Sequence, residues 1–133
     1  MLTQEQVTLV IPSSNNLRHL KNAYYSIKRC AKDCKIVMLD DGSTDGTTEW
    51  LSSLKDDNIT AIYRSSERVG HTVLYDKGIE LAQTEVVGII HADMILGPYY
   101  LENTLKWLKR ETVVCATRIE PPLHPAGKEK IIK

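Results

Sequence analysis

The stretch VMLDDGSTDGTTEW, Val37 to Trp50, decides how the rest of the chain is read. It opens apolar and β-branched, then places three carboxylates and two glycines in the seven residues Asp40–Gly46, then turns polar and helix-forming. Lys35–Leu39 (KIVML) therefore reads as a buried strand. The segment from Thr47 to Leu54 reads as a helix, with Asp45 as its N-cap. A strand, an Asp/Gly turn and a helix in that order form one half of a crossover unit.

The same alternation runs outward in both directions. Thr8–Ile11 (TLVI) is a strand ended by Pro12, and Leu17, Leu20, Tyr24, Ile27 and Ala31 follow at helical spacing. Ile59–Tyr63 (ITAIY) is a third strand. His71–Gln83 carries Val73, Leu74, Leu81 and Ala82 on a helical period. Val86–Ile90 (VVGII) is a fourth strand. A helix begins near Pro98 with Leu101, Leu105 and Leu108 facing inward. Thr112–Ala116 (TVVCA) is expected to be a fifth strand. Strands and helices in this order predict an α/β fold, a three-layer α/β/α sandwich on a mainly parallel sheet. Residues 1–118 form its domain, and 119–133, Pro-rich and then basic, form an extended tail.

In such sheets a ligand binds beyond the carboxyl ends of the strands. Four polar segments fall there: PSSNN (Pro12–Asn16), DDGSTDG (Asp40–Gly46), RSSERVG (Arg64–Gly70) and HADM (His91–Met94). That convergence turns scattered polar residues into one site. Register then separates the chemistries open to DDGSTDG. A calcium loop starting at Asp41 would put Ser52 where a bidentate glutamate belongs, after a strand rather than a helix. A phosphatase loop would need a carboxylate where Ser43 or Leu39 stands. A dinucleotide fingerprint needs glycines after the first strand, and PSSNN has none. What remains is recognition of a nucleotide base or ribose by a strand-end carboxylate. Asp41 is the residue that projects into the crevice, with Asp40 supporting the turn and Asp45 capping the helix.

Composition agrees with a globular domain of this size. Apolar residues make up 42% of the chain and charged residues 26%, and the net charge is zero, so no bulk attraction to nucleic acid or anionic lipid is expected. No apolar run is long enough to span a bilayer, and Met1–Gln6 does not read as a signal peptide. An odd count of three cysteines argues for reduced thiols and a cytoplasmic location.

With the segments VTLVIPSSNN, KIVMLDDGSTDGT, VGHTVLYDKGI and VVGIIHADM in this order, the chain resembles the N-terminal, nucleotide-binding half of family 2 glycosyltransferases of the GT-A fold. The likeness runs to about Arg118. It implies transfer of a sugar from a nucleotide-diphosphate donor, often a uridine diphosphate sugar, with Mn²⁺ or Mg²⁺. The acceptor stays open among saccharide, lipid and protein. Matched to the family's motifs, Pro12, Ser13 and Asn15 border the base, Asp41 contacts it, and Asp93 binds metal and diphosphate. Mn²⁺ and Mg²⁺ take oxygen ligands, which suits a carboxylate at that place.

The chain also departs from the pattern. His91 stands where the family's first metal-element aspartate usually is, so it hydrogen-bonds the ribose, ligates Mn²⁺ through imidazole, or only finishes a strand. Met94 replaces a common third carboxylate. Arg68 and Asp76 occupy positions often held by asparagine. Arg64 and Arg68 either offset diphosphate charge or lie solvated. The family's catalytic base lies on a second half, and Glu120 is the only late carboxylate that could replace it. Two functions stay open: a sugar transferase, and a non-catalytic nucleotide-sugar module. A sheet without its second half would expose apolar surface, so a homo-oligomer is expected.

Overall fold

The computed structural model describes residues 1–116. After a 3₁₀ turn, the order is β1 (Val7–Ser13), α1 (Leu17–Cys30), β2 (Lys35–Asp41), α2 (Thr47–Ser53), β3 (Ile59–Ser65), α3 (His71–Leu81), β4 (Val86–Ile89) and α4 (Tyr100–Leu105). The strands form one four-stranded sheet in the order β3-β2-β1-β4, and every pairing is parallel. This is the α/β architecture expected from the alternation.

β1 and β2 are buried along almost their whole length, which is why they read as continuous apolar runs rather than alternating ones. Their side chains split between two faces. Leu9, Ile11, Ile36 and Met38 pack on one face with Leu20, Tyr24 and Ile27 of α1, Leu51 of α2 and Leu101 of α4. Val10, Val37 and Leu39 pack on the other with Leu74 of α3. Helix α3 comes so close that Gly78 has no room for a side chain: a Cβ there would overlap Val10 Cγ1 and stand 2.9 Å from Leu39 Cδ1. One helix does not cover that face. Val73 and Ile79 on α3 and Ile89 on β4 remain roughly half exposed.

Three expectations need correction. Pro12 does not end β1, which continues to Ser13. Pairing with β4 stops at Val10, so Pro12 lies where the strand has only β2 beside it, and its missing N–H leaves no ladder there incomplete. The helix expected near Pro98 starts at Tyr100, after Tyr99 adopts left-handed backbone (φ 60°). The fifth strand does not form: Thr112–Ala116 has no strand pairing, and Val113 is 88% exposed. The run lines a cavity with Val86–Gly88 of the edge strand β4 but forms no ladder with it. The boundary at 118, the tail and Glu120 lie outside the described residues.

At the opposite end from the crevice, one carboxylate ties α1 to the loop before β3. Asp56 Oδ2 accepts from Tyr24 Oη at 2.7 Å and pairs with Lys28 Nζ at 2.9 Å, and Oδ1 accepts from Asn58 N–H at 3.0 Å. Burial opposes ionisation of Asp56, but these donors outweigh it and hold its carboxyl below the ordinary value of 3.8. Burial and the same carboxylate push the Tyr24 phenol up. A folded-state value below the unfolded one stabilises the fold fully above 3.8, and this is lost as pH falls through the folded value. Asp56→Ala is therefore expected to cost about 1–3 kcal/mol at pH 7. The gap from wild type should narrow as pH drops below 3.8, read by urea denaturation at several pH values. A gap that stays constant through that window would show that the Asp56 charge is not the stabilising element.

Candidate functional site

The four polar segments do converge at the carboxyl ends of the strands. The turn after β2 is stapled to the turn after β1. Asn15 N–H donates to Ser43 Oγ at 2.9 Å, and Asn15 Oδ1 accepts from Thr44 N–H at 2.8 Å. Asn15 holds left-handed backbone (φ 46°), a conformation asparagine tolerates better than most residues. Ser14 Oγ adds a bond to the Asp41 carbonyl at 3.2 Å.

The three carboxylates of the opening stretch have different work. Asp40 is buried, accepts from Ser43 N–H at 3.2 Å and Thr48 Oγ1 at 3.0 Å, and lies 3.9 Å from Arg64 Nε. Asp45 serves two helices. Its Oδ2 accepts from Leu17 N–H at 2.9 Å, and its Oδ1 accepts from Thr47 N–H at 3.2 Å and from the Thr47 hydroxyl at 2.6 Å. The backbone cap residue of α2 is Gly46 (φ 91°) rather than Asp45, because the left-handed turn brings the Asp45 side chain back onto the first helical residue. Burial works against Asp45 ionisation, but these bonds prevail and lower its pKa. Asp41 is 1% exposed. Its Oδ1 accepts from Val69 N–H at 2.7 Å and Ser65 Oγ at 3.2 Å, and its Oδ2 from Gly70 N–H at 3.1 Å. Burial again opposes the charge, and the three donors together with the nearby Arg68 charge win, holding the carboxyl below its ordinary value.

The expected site residues thus fall into two groups. Pro12, Ser13, Asn15, Asp41 and Arg64 lie at the ends of β1, β2 and β3, with exposed Arg68 on the loop after them. Arg64 reaches inward to the Ser43 carbonyl (3.4 Å) as well as to Asp40. Ser13 Oγ is buried with no hydrogen-bond partner among the described residues. His91 and Asp93 lie after β4, both exposed, in a turn closed by Met94 N–H to the His91 carbonyl at 3.0 Å. The chain beyond Asp93 is fixed to α1, where Leu96 N–H donates to Ser26 Oγ at 2.9 Å. Two residues not expected in the site join it. Tyr75 Oη lies 3.2 Å from His91 Nε2, and His71 packs edge-on against His91 with ring centroids 5.9 Å apart. His71 and Tyr75 are one helical turn apart, a spacing visible in VGHTVLYDKGI, but only the fold shows that they meet His91.

The model of the glycosyl transferase family 2 matches residues 8–131. The chain belongs to glycosyl transferase family 2. This family 2 chain is 27% identical over 113 residues to an uncharacterized glycosyltransferase of a Nostoc species, covering 82% of the chain and 34% of that protein. In three dimensions it is similar to a mannosyltransferase from Pyrobaculum calidifontis in complex with GDP-mannose and Mn²⁺, with a TM-score of 0.71, 25% identity, and coverage of 85% of the chain and 36% of that one. It also shares its fold with the 1–349 portion of S. aureus TarS in complex with UDP, at a TM-score of 0.66 and 15% identity, covering 76% of the chain and 31% of that one. The chain spans about a third of the length of these proteins. The GT-A fold implied by the sequence resemblance is thus the fold observed.

The divalent metal that the family implies can be tested against the donor set. Among the described residues no three His, Cys, Asp or Glu side chains lie close enough to cage an ion. Mg²⁺, however, is usually held by one or two carboxylates together with substrate phosphates and water. Asp93 is exposed and has no hydrogen-bond or ion-pair partner among the described residues, so its oxygens are free for that arrangement. The family 2 chain fits an ion shared with a diphosphate, not one bound by protein alone.

Proposed function

We propose that this chain is the donor-binding part of a glycosyltransferase. It would hold a nucleotide-diphosphate sugar in the crevice at the carboxyl ends of β1, β2 and β4. The observation that carries this reading is the division among the crevice carboxylates. Asp40, Asp41 and Asp45 are consumed by hydrogen bonds, whereas Asp93 has no partner among the described residues. A second sign is the buried Ser13 hydroxyl, which has no partner among the described residues, since buried polar groups are normally satisfied and a ligand is one way to satisfy this one.

In the reaction, the bond between the anomeric carbon and the diphosphate oxygen breaks, and its electron pair leaves with the diphosphate. An acceptor oxygen bonds to that carbon and loses its proton to a base. Mn²⁺ or Mg²⁺, when bound, stabilises the charge gathering on the leaving diphosphate. The chain's own part is to bind and orient. Pro12, Ser13 and Asn15 border the base, and Asp93 supplies the oxygens that the diphosphate-bound ion needs. His91 lies beside the ribose or the ion. Arg68 is the exposed cation of the opposite wall, while Arg64 is largely engaged with Asp40 and the Ser43 carbonyl. Uridine diphosphate sugars are the first donor class proposed, with guanosine diphosphate sugars next. The three free thiols, Cys30, Cys34 and Cys115, support a reducing, cytoplasmic setting.

A second reading is a binding module whose chemistry is supplied elsewhere. One observation favours it: in the turns after β1, β2 and β4, Asp40, Asp41 and Asp45 are held by hydrogen bonds and Asp93 is assigned to the ion, so no carboxylate of those turns remains to act as base. Calorimetric titration of UDP and GDP, each with and without Mn²⁺, tests the shared claim. Binding should strengthen about tenfold or more with Mn²⁺, a difference of one charge-assisted interaction. No binding of either nucleotide with or without metal would remove the donor reading. Binding without release of nucleotide from a donor sugar would select the module.

A further inference from the structure

We propose that Asp41 acts as a positioning residue: it moors the β3–α3 segment and the start of α3, and so sets where His71 and Tyr75 meet His91. The inference rests on reading the crevice as a donor site, and it gives Asp41 a task besides contacting the base.

The carboxylate is already mostly occupied. An ionised carboxylate offers about four lone-pair positions. Three of them receive Val69 N–H, Gly70 N–H and Ser65 Oγ, and the side chain is 1% exposed. One position, on Oδ2, is left for a base. Bonds from backbone N–H to a buried charge are of the stronger, charge-assisted kind. The next residue is fitted to the same loop. Gly42 has left-handed backbone (φ 63°), and a Cβ there would stand 2.9 Å from the Glu67 carbonyl carbon and 3.1 Å from Arg68 N. The Asp41–Gly42 turn therefore carries the whole Ser65–Gly70 segment.

That segment ends immediately before α3. Gly70 is the residue before the helix, and its carbonyl accepts from Leu74 N–H at 3.3 Å. His71 and Tyr75 stack with centroids 6.0 Å apart on the same helix face, and both rings meet His91, 5.9 and 6.0 Å away. His91 stands two residues before Asp93. One carboxylate at the end of β2, one loop and one helical turn thus reach across β1 to the turn after β4.

The experiment uses Asp41→Asn in the full chain, which keeps the size of the side chain and removes its charge. Three readouts are taken: amide hydrogen exchange at Val69 and Gly70, the imidazole NMR signals of His71 and His91, and affinities for UDP, GDP, CDP and ADP. Mooring predicts exchange faster by about tenfold at both amides, as expected for weakening a charge-assisted bond. It predicts shifted His71 and His91 signals. It predicts affinities lowered for all four nucleotides, beyond any further loss that one of them owes to a base contact. Ser65→Ala, which removes one donor only, should move the same readouts in the same direction by less, and it serves if Asp41→Asn does not fold. Unchanged exchange and imidazole signals, or a loss confined to one nucleotide, would overturn the proposal. If wild-type protein binds no nucleotide, the donor reading fails, while exchange and imidazole signals still decide the mooring.

Discussion

Asp93→Ala is expected to remove the metal-dependent part of donor binding almost completely. A divalent ion held by Asp93 would stabilise the diphosphate charge, so the loss should equal the gain of about tenfold or more that the metal gives wild type. The effect should be confined to measurements made with Mn²⁺ or Mg²⁺. Without metal, wild type and variant should bind nucleotide alike, because among the described residues Asp93 has no partner and removing it leaves no orphaned donor. For the same reason the melting temperature should stay within about a degree, as for an exposed substitution that breaks no contact. Asp93→Asn separates charge from shape, and should lose nearly as much. Unchanged Mn²⁺ dependence in Asp93→Ala would place the ion elsewhere and remove the central element of the donor reading.

Gly78→Val is expected to be the most damaging single change to the fold itself. Helix α3 lies against Val10 and Leu39, both buried to within 1%, and the volume a side chain would need is already filled. Two effects compete. Replacing a helical glycine gains up to about 1 kcal/mol in propensity. Overpacking a dense core costs about 1–3 kcal/mol, and a β-branched side chain gives up some of the propensity gain. The atoms met are side-chain carbons of fully buried residues on a rigid parallel sheet, so the overlap wins. The thermal midpoint should fall by roughly 5 °C or more. Gly78→Ala should fall less, since it keeps more of the propensity gain and presents a single methyl. A midpoint for Gly78→Val equal to or above that of wild type would mean that α3 can lift off the sheet without penalty.

The alternation of strands and helices was legible because β1 and β2 carry unbroken apolar runs and because Asp/Gly-rich turns punctuate them. The position of the site was legible for the same reason, since a parallel sheet sends every loop after a strand to one end. What misled was composition taken alone. TVVCA has strand-forming residues but pairs with no strand, and Pro12 breaks a ladder only where a neighbouring strand needs its N–H. The roles of the carboxylates were legible in part. Spacing puts Asp45 beside the start of α2, but the cap residue is Gly46, and the Asp45 bond to Leu17 N–H depends on the turns after β1 and β2 meeting. The partners of Asp41 are mostly backbone groups of Val69 and Gly70, and no side-chain pattern announces them. Tyr75 and His71 show a shared helix face, whereas their contact with His91 joins two elements that touch only in the finished fold.

The strand order β3-β2-β1-β4 also sets the sequence in which the molecule can be assembled. β1, β2 and β3 follow one another through short crossovers, so their pairing closes small loops. β4 must find β1 from about 80 residues away, a closure with a larger entropic cost and fewer local contacts to reward it. The first three strands with α1 and α2 can therefore collapse into a hydrophobic nucleus before β4 docks. The wall formed by Pro12, Asp41 and Arg64 belongs to that early unit. The turn with His91 and Asp93 arrives only with the last strand. A chain interrupted on this path would have most of its core and would lack the turn proposed to hold an ion and a diphosphate together.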